Sequence, residues 1–529
     1  MVKVLVADKL AQDGIDLLSR IEGVESDVRT GLSKDELCEI IGQYDGLVVR
    51  SDTQVTADIL RHAGKLKAIA RAGVGIDNID ILEATKKGII VMNTPGGNTL
   101  SAAEHTMALI LSLSRNIAPA CLSMKQGRWD RKKYMGSQLK GKILGIIGLG
   151  RIGMSVASMA KGFNMQLLGY DPFAAASEAG KIGMDVTADI NQIFSQADYI
   201  TVHVPKNDQT INLINKHSIE KMKHTVRLIN TARGGIINED DAYDALKEGR
   251  IAGLAFDVFP KEPPDNTRFL EDEHVLVTPH LGASTTEAQV EVAVEAAQIL
   301  VDAITGGPIK NAVNAPAITG TVSPMLASYA ELAKRIGMLQ SSIAPGAIRK
   351  VEVQYRGTIA EMDVDYVTVF FTIGLLQKHF DFPLNIINVG IMAKERGISI
   401  DQTRNPDPKD VSSSFTAHII TDKVTRTVTG SVFGGSHLRI IEIDGFTAET
   451  APMGTVMVIF NVDKPGVIGA VGTVCGKHSI NIATMGVGQK KDIQRAVLAI
   501  SLDGEPNEEG ISELRALDFV NELYLCKLD

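Results

Sequence analysis

Residues 142–172 read KILGIIGLGRIGMSVASMAKGFNMQLLGYDP. An apolar run, a glycine-rich turn, a helical stretch, a second apolar run and an acid follow one another, the order in which a dinucleotide-binding βαβ unit opens. Gly148, Gly150 and Gly153 stand at GxGxxG spacing. The first allows the tight turn, the second admits backbone close to a pyrophosphate on the helix N-terminus, and the third lets helix and strand pack. Asp171, 18 residues beyond Gly153, ends the next strand, where an acid accepts hydrogen bonds from ribose hydroxyls. No Lys or Arg occurs from Pro172 to Gly180. A 2′-phosphate would lack a counter-charge there, so NAD is expected rather than NADP.

Such a unit usually begins a chain, yet 141 residues precede this one. Residues 1–97 alternate apolar strands (VKVLVAD, DGLVVRS, LKAIARAG, IIVMNTP) with helical segments, which predicts a parallel sheet covered on both faces. After residue 142 a second alternating run follows, through DYITVHV, VRLINT, GLAFDV and VLVTP. A long helix, STTEAQVEVAVEAAQILVDAITGG, is placed to carry the chain back to the first unit. The expected fold class is therefore α/β, with two Rossmann-like or flavodoxin-like parallel sheets and the second unit inserted into the first. After VNAP (313–316) the texture becomes α+β. From Gly454 the pattern is βαββαβ, the ferredoxin-like arrangement. The expected domains are 1–98 with 285–314, then 99–284, 315–452 and 453–529.

The chain has 529 residues, 44% hydrophobic and 22% charged, with a formal net charge of −9. That balance argues against a nucleic-acid or membrane-surface partner and leaves room for a small anionic substrate held by a local arginine cluster. The N-terminus enters a strand pattern directly, without a secretory signal, and no apolar run is long enough to span a bilayer. Cys38, Cys121, Cys475 and Cys526 are scattered, with no CxxC and no metal spacing. They are expected to be small buried residues in a cytoplasmic protein, and no metal is expected.

Three stretches fall at strand ends of the second sheet, where ligands bind in open α/β folds: NTARGG (230–235), FDVFPKEPP (256–264) and TPHLGAST (278–285). They supply one cation, one carboxylate and one imidazole. Hydride removal from a hydroxyl-bearing carbon needs a base, and His280 suits it. A carboxylate on the far ring nitrogen raises such a base's pKa and fixes its tautomer, the part Glu262 fits. Arg233 is placed to anchor a substrate carboxylate and polarise a carbonyl. A lone His after a strand is more often structural, so the reading rests on the joint placement of all three. His203, in TVHVP, is the rival imidazole, expected to line the cofactor crevice without moving protons.

GLGRIG, Asp171, TARGG, FPKEP and PHLGAST together resemble the D-isomer-specific 2-hydroxyacid dehydrogenase family. The resemblance implies the roles just given to Arg233, Glu262 and His280. It implies NAD contacts from Arg151, Ile152, Asp171, Val204, Ala232, Arg233, Asp257, His280, Leu281, Gly282 and Ala283. VVRSDT (48–53), RAGVGIDNID (71–80), NTPGGNTLSAAEHT (93–106) and GRWDRKKYMG (127–136) are similar to the members that oxidise D-3-phosphoglycerate to 3-phosphohydroxypyruvate, which opens L-serine synthesis. By that resemblance Arg50, Ser51, Arg71 and the amides near Val74 and Gly75 hold substrate together with Arg233 and His280. The loop of Trp129, with Arg131, Lys132 and Lys133, either reaches a neighbouring subunit or is a solvated turn of its own.

The C-terminal half resembles the long form of that family, with an intervening regulatory domain and a terminal ACT domain. NVDKPGVIG (461–469) and SINIA (479–483) carry the likeness. They imply an L-serine effector site at Asn461, Asp463, Gly466 and Asn481, and a homo-oligomer, with a tetramer as the first expectation. Residues 440–454 contain no Lys or Arg, so the intervening domain is read equally as a spacer or as an anion-binding module.

Overall fold

The computed structural model describes every residue except 174–175, 266–267, 271, 316–321 and 491. The end of VNAP, where the texture of the sequence changes, thus lies partly outside the described residues. The contacts divide into two compact units, residues 1–54, 69–78 and 92–311 in one and residues 55–68, 79–91 and 312–529 in the other.

β1 (Val2–Val6), β2 (Val24–Val28), β3 (Gly46–Val49), β4 (Ala68–Arg71) and β5 (Ile90–Asn93) form a sheet ordered β2-β1-β3-β4-β5, which belongs to the first unit but for Ala68, Ile90 and Val91. β1 runs parallel to both of its neighbours. The strands β6 (Ile143–Ile147), β7 (Gln166–Tyr170), β8 (Asp185–Thr187), β9 (Tyr199–Val202), β10 (Arg227–Asn230), β11 (Gly253–Phe256) and β12 (Val275–Val277) form a second sheet, ordered β12-β11-β10-β9-β6-β7-β8. It is parallel throughout. Every residue of β9 and β11 is buried, as helices on both faces require. Ile147, Ile200 and Leu228 serve one core, while Ile146, Tyr199 and Ile229 serve the other beneath helix Thr99–Arg115. Strand order reverses between β9 and β6, which places a ligand crevice outside the carboxyl ends of these two strands. Helix Thr286–Ile304, capped by the Thr285 side chain, then packs on helix Gln12–Arg20 and β3.

In the second unit, β13 (Ile348–Gly357), β14 (Ser399–Asn405), β15 (Ser413–Thr421), β16 (Thr425–Phe433), β17 (His437–Ile443) and β18 (Phe446–Thr450) form a sheet ordered β14-β13-β15-β16-β17-β18. The terminal strands β19 (Thr455–Val462), β20 (Asn481–Lys490), β21 (Arg495–Asp503) and β22 (Val520–Lys527) are antiparallel in the order β20-β21-β19-β22. With helices Val467–Lys477 and Glu508–Arg515 they complete the βαββαβ pattern.

Alternate residues of the terminal strands serve different cores. Met457, Ile459, Leu498 and Ile500 face the two helices of their own module. Val456, Val458, Val497 and Ala499 join the core built on helix Pro324–Ile343. β18 crosses β20 at backbone contact, since a Cβ on Gly486 would stand 2.2 Å from the Glu449 carbonyl oxygen. Arg426 is buried at the same joint, bonded through Nη1 to Asp444 at 2.7 Å and through Nη2 to Glu522, with Phe460 stacked 4.2 Å away. Elsewhere in this unit Asn385 Nδ2 donates to the Gly88 carbonyl (2.8 Å) and Lys86 pairs with Glu395 (2.7 Å).

No single helix among the described residues is long and apolar enough to cross a membrane. Cys475 and Cys526 are buried as expected, but Cys121 is exposed on helix Ile117–Lys125 and Cys38 is half-buried.

Candidate active site

The three strand-end loops after β10, β11 and β12 meet. His280 Nδ1 lies 2.7 Å from Glu262 Oε2, and the other Glu262 oxygen accepts from the Phe259 amide at 3.1 Å. A carboxylate can only accept, so a ring hydrogen sits on Nδ1, and in the neutral ring the lone pair is on Nε2. Arg233 donates from Nε to Asp77 (3.0 Å) and from Nη1 to the Ala232 carbonyl (2.7 Å), which fixes the plane of its guanidinium. His280 itself has a left-handed backbone, φ 54°.

These side chains border a cavity of about 580 Å³ whose other wall comes from loops of the first sheet. Among the described residues, Arg50, Arg71, Lys206 and Arg233 line it against two carboxylates, Asp77 and Glu262. Burial, and then the charge of Arg233, pull Arg71 down to about 10, and its Nε is buried without a partner. Arg50 is tied through its amide to Asp8 and through Nη1 to the Lys9 carbonyl. Ser51, Val74 and Gly75 are also on the wall. The excess of fixed positive charge beside an imidazole suits a small substrate with more than one anionic group.

Sequence reasoning missed Asp77 and Lys206. The first stands two residues from Gly75 in GVGID, but its partner Arg233 is 156 residues away. Only the fold brings them together.

The cofactor crevice opens at the switch point. Gly148 has φ +97°, and a Cβ on Gly153 would stand 2.0 Å from the Gly148 carbonyl oxygen, whereas a Cβ on Gly150 would meet nothing within 4 Å. Arg151 and Ile152 begin helix Arg151–Gly162, whose N-terminus has no side-chain cap. Its free amides and the open space at Gly150 fit a pyrophosphate. Asp171 is oriented by the Leu149 and Phe173 amides at 2.9 and 2.8 Å. The residues present therefore fit NAD.

Val204 and Ala232 are half-buried just beyond β9 and β10, Ala283 lines the cavity and Leu281 is exposed. Asp257 is placed differently from an open cofactor contact. It is fully buried, and its carboxylate accepts from Leu281 N (2.7 Å), Gly282 N (2.9 Å) and Thr278 Oγ1 (2.6 Å) beneath the His280 turn. His203 lies 3.0 Å from Thr201 Oγ1, and burial pushes it down to about 4. It is neutral near pH 7 and unsuited to collecting protons.

Of the effector residues, Asn461 is buried with Oδ1 unpartnered. Asp463 accepts from Gln489 at 3.2 Å, and Gly466 opens an uncapped helix with φ 95°. Asn481 is not beside them. It pairs with Asp503 near the Thr455 end of the sheet, opposite to Asn461. Trp129 is 73% exposed, and Lys133 pairs with Glu273 of its own chain at 2.9 Å.

Comparison with known proteins follows the same division. The NAD-binding domain model of the D-isomer-specific 2-hydroxyacid dehydrogenases matches residues 107–282, the D-3-phosphoglycerate dehydrogenase intervening-domain model residues 325–444, and the ACT model residues 455–519. D-3-phosphoglycerate dehydrogenase of Bacillus subtilis is 41% identical over all of this chain and all of its own. That of Archaeoglobus fulgidus is 40% identical with the same full coverage. Among solved structures, D-lactate dehydrogenase of Aquifex aeolicus, in complex with NAD and lactic acid, is similar over 59% of this chain and 100% of its own, at 27% identity and a TM-score of 0.55.

Proposed function

Because the chain belongs to the D-3-phosphoglycerate dehydrogenase family, NAD-dependent oxidoreductases of the serine pathway, we propose that it oxidises D-3-phosphoglycerate to 3-phosphohydroxypyruvate with Arg233, Glu262 and His280 as its catalytic residues. The observation that carries this is the His280–Glu262 pair at 2.7 Å beside a cavity lined by four cations. The turn from Gly148 to Gly153 and the Asp171 carboxylate would hold NAD, which would supply the hydride acceptor for oxidation at the carbinol carbon. His280 Nε2 takes the hydroxyl proton, and the resulting imidazolium is stabilised by the Glu262 carboxylate at Nδ1. Arg233 holds the substrate carboxylate and, in the reductive direction, the developing alkoxide charge. Arg50, Arg71 and the amides at Val74 and Gly75 hold the remaining anionic group, with Ser51 beside them.

We place residues 1–98 and 285–314 in the substrate domain, 99–284 in the NAD domain, 315–452 in the intervening domain and 453–529 in the ACT domain. L-serine is the proposed effector at Asn461, Asp463, Gly466 and Asn481. Since Asn481 stands at the far end of the sheet from Asn461, the effector site is completed between two ACT modules of a cytoplasmic homo-oligomer, taken as a tetramer. The exposed Trp129 supports a second subunit contact. The test is the initial rate of NADH oxidation with 3-phosphohydroxypyruvate against unphosphorylated hydroxypyruvate at matched concentrations. A strong preference for the phosphorylated acid is expected. Equal rates would discard the named substrate and leave the hydride chemistry standing.

A further inference from the structure

Helix Thr99–Arg115 does more than cover a sheet face, because its polar side chains meet the loops that hold Arg233 and His280. Thr106 Oγ1 lies 2.8 Å from Thr231 Oγ1, under the TARGG loop, and Ser101 Oγ lies 2.7 Å from Thr285 Oγ1. Between them His105 Nε2 sits 3.2 Å from Asp257 Oδ1 and 3.1 Å from Thr278 Oγ1.

The His280 turn needs such support. A left-handed conformation is costly for a non-glycine residue and persists only where surrounding bonds impose it. Here the His280 amide donates to the Asp257 and Thr278 carbonyls (2.8 and 3.0 Å), and the next two amides donate to the Asp257 carboxylate. The turn is therefore built around one fully buried carboxylate, which must itself be held in a single orientation. Asp257 Oδ1 is shared by Leu281 N, Thr278 Oγ1 and His105 Nε2. Thr278 spends its hydrogen on Asp257 at 2.6 Å, so its oxygen can only accept from the ring. Both neighbours of Nε2 are then acceptors, and Nε2 must carry hydrogen. Among the described residues, His105 is the one side chain on this carboxylate that comes from outside the 278–282 loop, and the one that is neither hydroxyl nor amide.

We propose that His105 is a positioning residue for the catalytic base, its Nε2–H clamping Asp257 and Thr278 and so aiming the His280 ring at the substrate. The inference rests on the reading of His280 as the base. A displacement of the ring by even about 1 Å costs on the order of 100-fold in turnover. His105→Leu removes the donor and keeps an apolar body. His105→Gln restores an N–H donor at similar reach, and His105→Asn offers one too short to arrive.

The experiment measures kcat, KM for 3-phosphohydroxypyruvate, NADH affinity by fluorescence and the melting temperature for all three full-length variants. The expected result is a 10- to 100-fold loss of kcat in His105→Leu with KM, NADH affinity and melting little changed, and recovery to within about threefold of wild type in His105→Gln. Undiminished kcat in His105→Leu overturns the proposal. So does an equal loss in Leu and Gln variants that tracks lost melting temperature and lost NADH binding, the pattern of a merely structural residue. If His105→Leu fails to fold, the comparison of Gln with Asn decides, since turnover restored by Gln alone supports the clamp and equal turnover refutes it. His280→Ala separates the two layers. Should that variant stay active, the base assignment itself is wrong; should it be dead while His105→Leu is fully active, only the clamp is wrong.

Discussion

Replacing Gly75 by alanine tests whether Arg233 works from where it stands. Gly75 lies in a loop of the first sheet, and a Cβ there would sit 1.9 Å from Arg233 Nη2 and 2.9 Å from its Cζ. Ordinary contact begins near 3.4 Å, so the guanidinium must retreat by about 1.5 Å, the difference of those two distances. The obstruction is the free end of a flexible side chain, and Gly75 is not among the residues with positive φ. The fold can therefore absorb the methyl by moving Arg233. That movement breaks the 3.0 Å bond to Asp77 and carries the fork away from the carboxylate it is proposed to hold. A charge-assisted hydrogen bond is worth about 1.5–3 kcal/mol, so kcat/KM for 3-phosphohydroxypyruvate should fall about 10- to 150-fold. NADH affinity and the melting temperature should hardly change, because the GxGxxG turn is untouched. The assay is steady-state NADH oxidation beside a fluorescence titration of NADH. Unchanged kcat/KM in a folded Gly75→Ala protein would refute the placement of Arg233 as the anchor.

Three further outcomes follow from the geometry. Gly150→Val meets no atom of the described residues within 4 Å of its Cβ, so the protein should fold normally while NADH binding, read by fluorescence, weakens by at least tenfold, since binding then displaces or distorts a side chain costing about 1.4 kcal/mol or more. His203, held at about 4 in the fold by burial, binds its proton more readily when unfolded. Its contribution is intact above about pH 6.5 and is lost as pH falls towards 4, at up to about 1.4 kcal/mol per pH unit. Urea midpoints of wild type should therefore drop faster over that range than those of His203→Gln, and parallel curves would contradict it. Gly486→Ala drives a methyl against the Glu449 backbone, which cannot rotate away, and should cost roughly 1–3 kcal/mol of stability, seen as a lower transition temperature in calorimetry.

What was legible in the sequence was whatever short spacing enforces. The dinucleotide turn, the acid after β7 and the three strand-end loops lie on consecutive elements of one sheet, and a parallel sheet delivers such loops to one edge. The His280–Glu262 bond spans only 18 residues and follows from neighbouring strands. The Asp77–Arg233 pair, the polar face of helix Thr99–Arg115 and the burial of Asp257 were not legible. Each joins segments far apart in the chain, and an Asp at a strand end looks the same in sequence whether it faces a ligand or the inside of a turn. The glycines of RAGVGID carried a faint signal, but what they make room for is two arginine heads, Arg71 over Gly73 and Arg233 over Gly75.

The two-faced terminal sheet has an engineering consequence. A terminal module that could be cut away or grafted onto another enzyme would need one face of its sheet to tolerate water. Here Val456, Val458, Val497 and Ala499 on one face are as deeply buried as Met457 and Ile459 on the other, and the charge of Arg426 is neutralised from both sides of the joint by Asp444 and Glu522. A transplant beginning at residue 453 would uncover a valine stripe and leave Glu522 without its arginine. Helix Pro324–Ile343 and the strands through β22 share one core and would have to travel together. Recombination within this chain would therefore inherit the ACT module and the segment before it as one indivisible part.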